Sequence, residues 1–540
     1  MKHGASLVKL EPFALPTAPF KPEEVPPLQV TAEELSRRSA QRTSSYTIYV
    51  DLPGNQDEML LVHGYTGAYD LVSKRVATYL RSLEASHAPK PLYGDWTPEV
   101  TDGDDEVIEP SEETLLALKE RGYLVALTPE EEEALFVKVS ARRHFASLRY
   151  VPNYVIMPTY QCNLRCPYCF QDHMRTDPAL SHLLRVMDRA MADRILAGMR
   201  NIDSAHGITR YDAMPQRITF FGGEPLLAQS RPIVEYLLER LAERGKMQVM
   251  AVTNATDLDA YRDLLGPGKI SRLQITLDGA PEEHDQRRVY ADGSGTFERI
   301  AANITMALEQ QVHVSIRMNI DRNNIGRLPA LADEFQRRGW LGQPNFSPYV
   351  APIHAANDHV EAKTTFNTWQ LQRAMRDLAE RDPRLSQVGL TDDSLQRQAR
   401  QIFDEQNDVS PGFRSSFCGA NATMYVIDAF ADIYACWERT GEPEIRIGHI
   451  AETGDVFMNR SIIERWRSRN IVSNPVCRKC RYASSCGGGC PILAEEASGS
   501  VFSNYCDGYA KRFRASVAKA YQEHAQGAVH KNGVGSPCEV

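Results

Sequence analysis

The sequence predicts an α/β protein built on a partial barrel of parallel strands, with a small α+β domain before it and a cysteine-rich domain after it. Between residues 150 and 355, six β-like runs alternate with helical patterns, which is typical of parallel strands joined by crossover helices. Ten of the eleven cysteines lie either directly after the first of these runs or behind the last. These observations predict a partial (β/α)6, TIM-like barrel whose ligands bind at the carboxyl ends of its strands.

The composition bounds the class of protein. A chain of 540 residues is long enough for about two to four domains, and 42% hydrophobic with 24% charged residues is typical of soluble globular proteins. A formal net charge of −9 argues against a nucleic-acid partner, because phosphate binding needs a clustered basic surface. No apolar run has the length of a signal peptide or a membrane span, so a cytoplasmic location is predicted. In that reducing compartment, clustered cysteines indicate metal ligation and not disulfides.

The first 145 residues contain signals for an extended arm followed by a small domain. Residues 1–45 are rich in proline and lack periodicity, which predicts the arm. The elements predicted after it are strands at Tyr46–Leu52 and Met59–Gly64, a helix running from Tyr69 to Leu83, a second helix at Leu115–Leu118, and a third that starts at a capping box, Thr128–Glu131.

The six predicted barrel strands are apolar runs separated by helical patterns such as Leu183–Met199 and Pro232–Leu241. The first strand runs directly into a loop of cysteines, so this loop is expected at the carboxyl edge of the barrel. The strands are predicted at Tyr154–Thr159, Arg217–Phe221, Met247–Asn254, Arg272–Asp278, Val312–Ile320 and Asn345–Val350.

The loop after the first strand carries three thiols, Cys162, Cys166 and Cys169, at a spacing of C-x3-C-x2-C. Thiolates are the ligands of iron–sulfur clusters, and three ligands for a four-iron cluster leave one iron open. An open iron beside a cluster that can deliver one electron predicts redox chemistry on a bound molecule. A zinc knuckle or unrelated core thiols are the alternatives.

This spacing, with Tyr168 directly before the third cysteine, resembles the signature of the radical S-adenosylmethionine (SAM) enzymes. In that family the open iron chelates the amino and carboxylate groups of SAM, and one electron cleaves SAM to methionine and a 5′-deoxyadenosyl radical. A second motif, Gly222-Gly223-Glu224-Pro225, ends the second predicted strand and resembles the family's motif for the amino group of SAM. Alone it is compatible with a strand-to-helix turn, but two motifs in this order support each other.

Further strand ends carry candidate SAM contacts. Asn254 lies in Thr-Asn-Ala, where relatives have Thr-Asn-Gly, and Thr276 in Thr-Leu-Asp-Gly, where they have Ser-Leu-Asp-Gly; both are candidates for the ribose. Arg317, at the end of the fifth strand, is a candidate for the methionine carboxylate, because a guanidinium binds a carboxylate as a fork. The alternative for Arg317 is an ion pair with Asp278 or Asp321.

Seven cysteines follow the barrel in a spaced pattern. Four of them are compatible, taken alone, with a zinc ribbon. In this order behind a radical SAM core, all seven resemble the SPASM extension, which holds two auxiliary 4Fe–4S clusters and brings the expected total to three clusters. The resemblance assigns Cys418, Cys436 and Cys490 to the first auxiliary cluster, and Cys477, Cys480, Cys486 and Cys506 to the second.

Three details of this extension are informative. The first auxiliary cluster lacks an obvious fourth cysteine, so a non-cysteine residue, the substrate, a water or Cys538 stays open as the ligand. Trp437 directly follows Cys436, whereas sulfatase-maturing relatives have there an aspartate that acts as a base. The run Gly487–Gly489 between two cysteines is predicted to let backbone amides point at cluster sulfurs.

The N-terminal elements resemble the winged-helix peptide-recognition domains of peptide-modifying radical enzymes, a plain structural extension being the alternative. The predicted domains are an arm (1–45), a winged-helix-like peptide-recognition domain (46–145), the radical SAM partial barrel (150–355), a helical linker (356–415), the SPASM domain (416–515) and a C-terminal tail (516–540).

The whole resemblance implies a peptide (RiPP) maturase that abstracts hydrogen from a ribosomally synthesised precursor peptide and forms a carbon–carbon or thioether cross-link. Epimerisation and dehydrogenation stay open, and no acid or tyrosine is singled out by a motif as the catalytic base. The expected partners are the precursor peptide and a reduced flavodoxin or ferredoxin-type electron donor, with no nucleic acid and no membrane. The alternatives are a sulfatase-maturing enzyme that forms formylglycine and a non-catalytic iron–sulfur or zinc scaffold.

Overall fold

The computed structural model describes residues 7–10, 41–84, 107–353, 361–390, 394–403 and 412–533. Most of the predicted arm, and Cys538, lie outside these residues, and the predicted domain boundaries stay predictions. The chain forms two compact units, each built from segments distant in sequence. The barrel unit comprises Met1–Thr17, Leu148–Asp392 and Gly419–Arg467, and the cysteine-rich unit comprises Ala18–Ser147, Asp393–Cys418 and Ser468–Val540.

The described strands are, in chain order, β1 (Leu7–Lys9), β2 (Arg42–Thr43), β3 (Thr47–Asp51), β4 (Glu58–His63), β5 (Tyr69–Ser73), β6 (Leu124–Val125), β7 (Asn153–Ile156), β8 (Tyr211–Phe220), β9 (Gly245–Thr253), β10 (Ile270–Thr276), β11 (His313–Ile320), β12 (Phe346–Pro352), β13 (Gly389–Leu390), β14 (Met424–Ile427), β15 (Asp432–Tyr434), β16 (Arg446–Ile450) and β17 (Val456–Asn459).

The described α-helices are α1 (Lys74–Ser82), α2 (Glu112–Glu120), α3 (Pro129–Ser147), α4 (His173–Thr176), α5 (Arg189–Ala205), α6 (Arg231–Ala242), α7 (Pro281–Arg287), α8 (Phe297–Glu309), α9 (Leu328–Arg337), α10 (Thr368–Arg381), α11 (Ser394–Ile402), α12 (Arg460–Ser468), α13 (Pro475–Arg478), α14 (Ala483–Cys486), α15 (Pro491–Ser498) and α16 (Tyr509–Gly533).

The barrel unit contains one twelve-stranded sheet, ordered β1-β17-β16-β15-β14-β7-β8-β9-β10-β11-β12-β13. Strands β7 to β12 lie side by side in sequence order, and each neighbouring pair is parallel. Helices between successive strands, such as α5, α6 and α8, return the chain to the starting edge. The predicted partial (β/α)6 barrel is therefore confirmed, and the carboxyl ends of six parallel strands share one edge.

One helix of the barrel begins later than the sequence pattern predicts. The apolar residues from Leu183 onward fit helical spacing, but α5 begins only at Arg189. Its N-cap is Asp188, whose carboxylate accepts a hydrogen bond from the amide of Met191 at 2.8 Å. Upstream, Val186 forms a β-bridge with Thr159, so this segment contacts the loop that follows β7 instead of extending the helix.

The N-terminal module, residues 41–84 and 107–147, belongs to the cysteine-rich unit and contains the antiparallel sheet β3-β4-β5 with helices α1 to α3. The helix predicted to start at Tyr69 is wrong over its first residues, because Tyr69–Ser73 forms β5. Gly67, with φ of 83°, and a hydrogen bond from the amide of His63 to the carbonyl of Ala68 (2.7 Å) turn the chain back beside β4. The helix α1 then starts at Lys74.

The start of α3 follows the predicted capping box. The hydroxyl of Thr128 accepts from the amide of Glu131 (3.3 Å), and the Glu131 carboxylate accepts from the amide of Thr128 (2.8 Å). Two backbone amides at the start of the helix thereby have hydrogen-bond partners, so the predicted capping box is confirmed. In the part of the chain that the structure describes, no helix combines the length and apolarity needed to cross a membrane.

The N-terminal module shares its apolar core with later segments of the same unit. Ile48 and Leu60 lie in one buried cluster with Phe403 and with Phe513 and Val517 of α16. Such mixed clusters bury apolar area that neither segment buries alone. The module is therefore an integral part of the cysteine-rich unit.

Candidate metal and cofactor site

The three-thiol loop lies at the carboxyl end of β7, the first parallel strand of the barrel. The amide of Leu164 donates to the sulfur of Cys162 at 3.5 Å, and the amide of Cys169 donates to the carbonyl of Cys166 at 3.2 Å. Cys166 is buried and the other two are half-buried, and the sulfurs are close enough to influence one another electrostatically. The structure thus brings together Cys162, Cys166 and Cys169 as the sequence predicts.

The two glycines that follow β8 let the chain pack directly on the cysteine loop. A Cβ atom on Gly222, whose φ is 141°, would lie 2.4 Å from the carbonyl oxygen of Thr159, and one on Gly223 would lie 2.2 Å from that of Tyr160. The amide of Gly223 donates to the Thr159 carbonyl at 3.1 Å. In this structure the glycines therefore allow close contact between two backbone segments, and their predicted contact with SAM stays a prediction.

Glu224 is buried and connects the ends of two strands. Its carboxylate accepts hydrogen bonds from the hydroxyl of Thr253 (2.6 Å) and from the amides of Asn254 (2.5 Å) and Leu226 (2.9 Å). Burial raises the pKa of Glu224 to about 7. Its predicted contact with the amino group of SAM, like that of Pro225, stays a prediction; what the geometry establishes is that Glu224 fixes β8 against β9.

Asn254 and Thr276 lie at the ends of β9 and β10. The Asn254 side-chain amide donates to Asn163 at 2.9 Å and lies 3.8 Å from the sulfur of Cys162, so it sits beside the cysteine loop. The next residue, Ala255, has φ of 63°, which explains why glycine suits this position in relatives. Thr276 is almost fully buried.

Tyr168 is the centre of a hydrogen-bond network on the other side of the loop. Its hydroxyl donates to the carboxylate of Asp278 and accepts from the guanidinium of Arg288 at 2.9 Å and the amide of Asn319 at 3.3 Å. Arg317 donates from Nε to Asn319 at 2.9 Å. This network orients the aromatic residue of the cysteine motif through the ends of β10, β11 and α7.

The ion-pair alternative for Arg317 is not what the structure contains. Among the described residues, Arg317 pairs with neither Asp278 nor Asp321; Asp321 is paired instead with Arg287 at 3.2 Å. With Nε on Asn319, both terminal amines of Arg317 lack a described partner. The Arg317 guanidinium fork is therefore available for a carboxylate.

Two arginines that the sequence did not single out surround the thiols. Burial works against the charge of Arg175, but the Cys169 and Cys162 thiolates together raise its pKa. Burial alone would lower the pKa of Arg288. Nearby negative groups, of which Cys166 has the largest effect, outweigh burial and raise this pKa well above its usual range. The Nε atoms of both are buried without a hydrogen-bond partner among the described residues. Positive charge beside the three sulfurs would stabilise an anionic cluster bound by their thiolates.

The second group of thiols lies in the cysteine-rich unit, around α13 and α14. Cys477, Cys480, Cys486 and Cys506 are mutual electrostatic neighbours, so the structure brings together all four residues predicted for the second auxiliary cluster. Burial raises the pKa of Cys480 to about 11 and that of Cys506 to about 12. Buried thiols with raised pKa need a metal to become thiolates at neutral pH.

Backbone and side-chain donors point at these sulfurs. Cys486 accepts hydrogen bonds from the amides of Gly488 and Gly489, and Cys506 accepts from the side-chain amide of Asn504 at 3.0 Å. All three residues of Gly487–Gly489 have φ between 76° and 86°, which favours glycine. The amides of Gly488 and Gly489 therefore point at the sulfur of Cys486; that this sulfur binds a cluster stays a prediction.

The three cysteines predicted for the first auxiliary cluster do not belong to one unit. Cys418 and Cys490 lie in the cysteine-rich unit and Cys436 in the barrel unit. Trp437, directly after Cys436, stacks on Phe221 with ring centroids 5.5 Å apart. Among the described residues, no three His, Cys, Asp or Glu side chains form a group that could hold a single metal ion.

A cleft of about 820 Å³ opens beside Tyr168 in the barrel unit. Its charged walls are largely paired internally, with Arg287–Asp321 at 3.2 Å, Arg327–Glu283 at 3.5 Å and Lys363–Glu361 at 2.9 Å. Of the predicted SAM contacts only Tyr168 lines it. Its volume is in the range of small-molecule sites.

Comparison with known families identifies the class of protein. Residues 156–334 match the model of the Radical SAM superfamily, a range that starts at the last residue of β7 and ends within α9. The chain therefore carries a radical SAM domain that includes the three-thiol loop, and it is a SAM-dependent enzyme of the class that uses a 4Fe–4S cluster.

Three relatives give the likeness in more detail. The cysteine-type anaerobic sulfatase-maturating enzyme of Clostridium novyi (strain NT) is 21% identical over 388 residues, which is 67% of this chain and 96% of the relative. A solved structure of anSMEcpe with bound AdoMet and Cp18Cys peptide is 17% identical, with a TM-score of 0.50, over 69% of this chain and 100% of its own. Streptococcus suis SuiB bound to precursor peptide SuiA is 15% identical, with a TM-score of 0.44, over 86% of this chain and 98% of its own.

Proposed function

We propose that this enzyme is a radical SAM/SPASM maturase that oxidatively modifies a ribosomally synthesised precursor peptide by forming a carbon–carbon or thioether cross-link. It works in the cytoplasm with a reduced flavodoxin or ferredoxin-type electron donor. The observation that carries the proposal is that one chain contains both the three-thiol loop at the barrel edge and a second group of four thiols, of which Cys477 is buried and the other three are half-buried. A single cluster suffices to start radical chemistry, and additional clusters suit removal of an electron from the product.

The cluster and SAM together supply one-electron cleavage that begins hydrogen abstraction from a peptide carbon. The chain's own residues bind and orient these groups. Cys162, Cys166 and Cys169 are the cluster ligands, Arg317 holds a carboxylate, and Asn254 and Thr276 hold the ribose. Arg175 and Arg288 compensate the negative charge of these three thiolates.

Formylglycine formation is the second candidate, because a sulfatase-maturating enzyme is among the relatives that this chain resembles. Against it stands Trp437, at the place where the resemblance puts a catalytic aspartate. Its ring stacks on Phe221, and indole has no basic atom that accepts a proton at neutral pH. A non-catalytic scaffold is disfavoured by the radical SAM domain.

The two candidates differ in their product. The anaerobically reconstituted enzyme is incubated with SAM, a reductant and either a sulfatase-type serine peptide or the short peptide encoded beside its gene. Cross-linking removes two hydrogens from the precursor and creates no aldehyde, so the product forms no oxime with hydroxylamine. A hydroxylamine-reactive product from the serine peptide, with no change in the precursor, would identify a formylglycine-forming enzyme and refute the proposal.

The radical SAM assignment of the loop has its own test. Replacement of Cys166 by Ala removes one of three cluster ligands and is expected to abolish 5′-deoxyadenosine formation, measured by chromatography of the quenched reaction. The second thiol group serves as the internal control, because its iron should remain bound. Undiminished 5′-deoxyadenosine formation by Cys166→Ala would overturn the ligand assignment.

A further inference from the structure

Arg469 lies directly after α12 in the cysteine-rich unit and is one of its most deeply buried charged residues, with 3% of its surface exposed. Its guanidinium donates to three backbone carbonyls, those of Val501, Gly488 (3.2 Å) and Ser503 (3.2 Å). These bonds hold the group in one orientation. They do not neutralise its charge.

No carboxylate pairs with Arg469 within the described ranges of the chain. A buried charge without an opposite charge is strongly unfavourable, so another anion has to stabilise it. The groups that do act on it electrostatically are four cysteine sulfurs, and burial lowers the pKa of Arg469 while these sulfurs raise it. They are Cys418, Cys477, Cys490 and Cys486.

The geometry places the guanidinium at the wall of the second thiol group. A Cβ atom on Gly488 would lie 3.8 Å from the sulfur of Cys477 and 3.9 Å from Nη2 of Arg469. Glycine at this position leaves sulfur and guanidinium facing across one small space. The carbonyl of Gly488 accepts from the same nitrogen, so the residue that separates the two groups also fixes their distance.

The four sulfurs belong to two different predicted ligand sets. Cys477 and Cys486 are assigned to the second auxiliary cluster, whereas Cys418 and Cys490 are assigned to the first. We propose that Arg469 is a positioning residue that serves as the shared positive countercharge of both auxiliary clusters and raises the reduction potential of each. The inference rests on the proposed presence of these clusters.

The direction of the effect follows from Coulomb's law. A cluster gains one negative charge on reduction, and a fixed positive charge nearby stabilises the reduced form more than the oxidised form. Burial keeps water from screening this interaction. Because sulfurs of both sets act electrostatically on this one guanidinium, its neutralisation should lower both potentials together.

The test is a redox titration of the reconstituted full-length enzyme with dithionite, followed by electron paramagnetic resonance. The SAM-binding cluster is recognised by the change of its signal on SAM addition, and the remaining signals report the auxiliary clusters. For Arg469→Gln we expect both auxiliary potentials to fall by about 59 mV, which is a tenfold change in a one-electron equilibrium. Arg469→Lys, which keeps the charge, should show a smaller fall.

Arg42→Gln is the matched control, because Arg42 is an inward-facing arginine of the same unit that pairs with Glu132 at 2.7 Å and contacts no cysteine. It should leave both potentials unchanged. Unchanged potentials in Arg469→Gln, or a shift in only one auxiliary cluster, would overturn the inference. If Arg469→Gln is isolated without auxiliary iron, retention of that iron by Arg469→Lys supports the countercharge and its loss overturns it. A wild-type enzyme with no auxiliary signals would instead refute the proposed clusters themselves.

Discussion

Single glycines around the second thiol group have different structural roles although their backbone angles are alike. Gly489 has φ of 78° and Gly499 has φ of 73°. A Cβ atom on Gly489 would lie 2.0 Å from the carbonyl oxygen of Tyr505, whereas nothing lies within 4 Å of one on Gly499. Of these two glycines, only Gly489 also donates its amide to the sulfur of Cys486.

This difference gives a prediction with a built-in control. Gly499→Ala should cost about 1–2 kcal/mol, the strain of a left-handed backbone, and keep its iron. Gly489→Ala has the same strain and in addition displaces the segment of Tyr505 next to Cys506, so it should lose auxiliary iron, measured colorimetrically per chain. Equal iron in the two variants would contradict the role assigned to Gly489.

At the scale of elements, a buried polar cluster joins α5 to the first two barrel strands. Asp203 of α5 accepts hydrogen bonds from the hydroxyls of Tyr154 (2.6 Å) and Tyr211 (2.5 Å), and it pairs with Arg244. The side chains of Asp203 and Arg244 are 7% and 11% exposed. Removal of Asp203 therefore leaves the buried charge of Arg244 and the hydroxyl of Tyr211 without their partner, while the hydroxyl of Tyr154 keeps its bond to the carbonyl of Met199 (3.1 Å).

Replacement of Asp203 by Ala should lower the free energy of unfolding by about 3–5 kcal/mol, the cost of breaking a buried ion pair from one side. Asp212→Ala is the control, since its pair with Arg210 is 68% exposed on both sides and should change stability by about 0–1 kcal/mol. Urea unfolding measures both. A similar decrease in the free energy of unfolding in both variants would contradict a stabilising role of the buried cluster between α5 and the barrel strands.

Sequence patterns predict some elements and fail for others for physical reasons. The barrel strands are visible because parallel strands buried on both faces are continuous apolar runs. The sequence pattern assigns Tyr69–Ser73 to a helix because its apolar residues fit both helical and strand spacing. The turn at Gly67 determines that this segment forms a strand. The candidate cysteine ligands can be predicted from their spacing and from its resemblance to a family signature. Arg175, Arg288 and Arg469 belong to no motif, because a countercharge needs only to be near in space.

At the scale of the whole molecule, the N-terminal module contributes to the wall of the second thiol group within the cysteine-rich unit. The hydroxyl of Tyr46 donates to the carbonyl of Arg478, and Phe136 and Tyr46 lie in one buried cluster with Cys477. The backbone at Gly64 contacts Arg481, since a Cβ atom there would lie 2.1 Å from the Arg481 carbonyl oxygen. The module therefore has a structural role besides the proposed recognition of a peptide.

Deletion of residues 1–145 tests this dual role. We expect iron to fall from about twelve to about four atoms per chain, because one of the three proposed four-iron clusters lies in the barrel and only the thiols of the proposed auxiliary clusters lose their surroundings. Peptide affinity should fall as well, while SAM cleavage without peptide persists. A truncated chain that keeps twelve irons but no longer binds peptide would assign the module to recognition alone.

The order of segments along the chain has a consequence for biosynthesis. The chain passes between the barrel unit and the cysteine-rich unit five times. The six parallel strands are contiguous, so the first thiol loop can be enclosed while the ribosome is still translating. Ile48 and Leu60, in contrast, share a buried cluster with Phe513, which lies more than 400 residues downstream. Contacts between residues so distant in sequence form late. We therefore expect the iron of the proposed auxiliary clusters to be inserted after release of the finished chain, and a nascent chain stalled before α16 should contain only the first cluster.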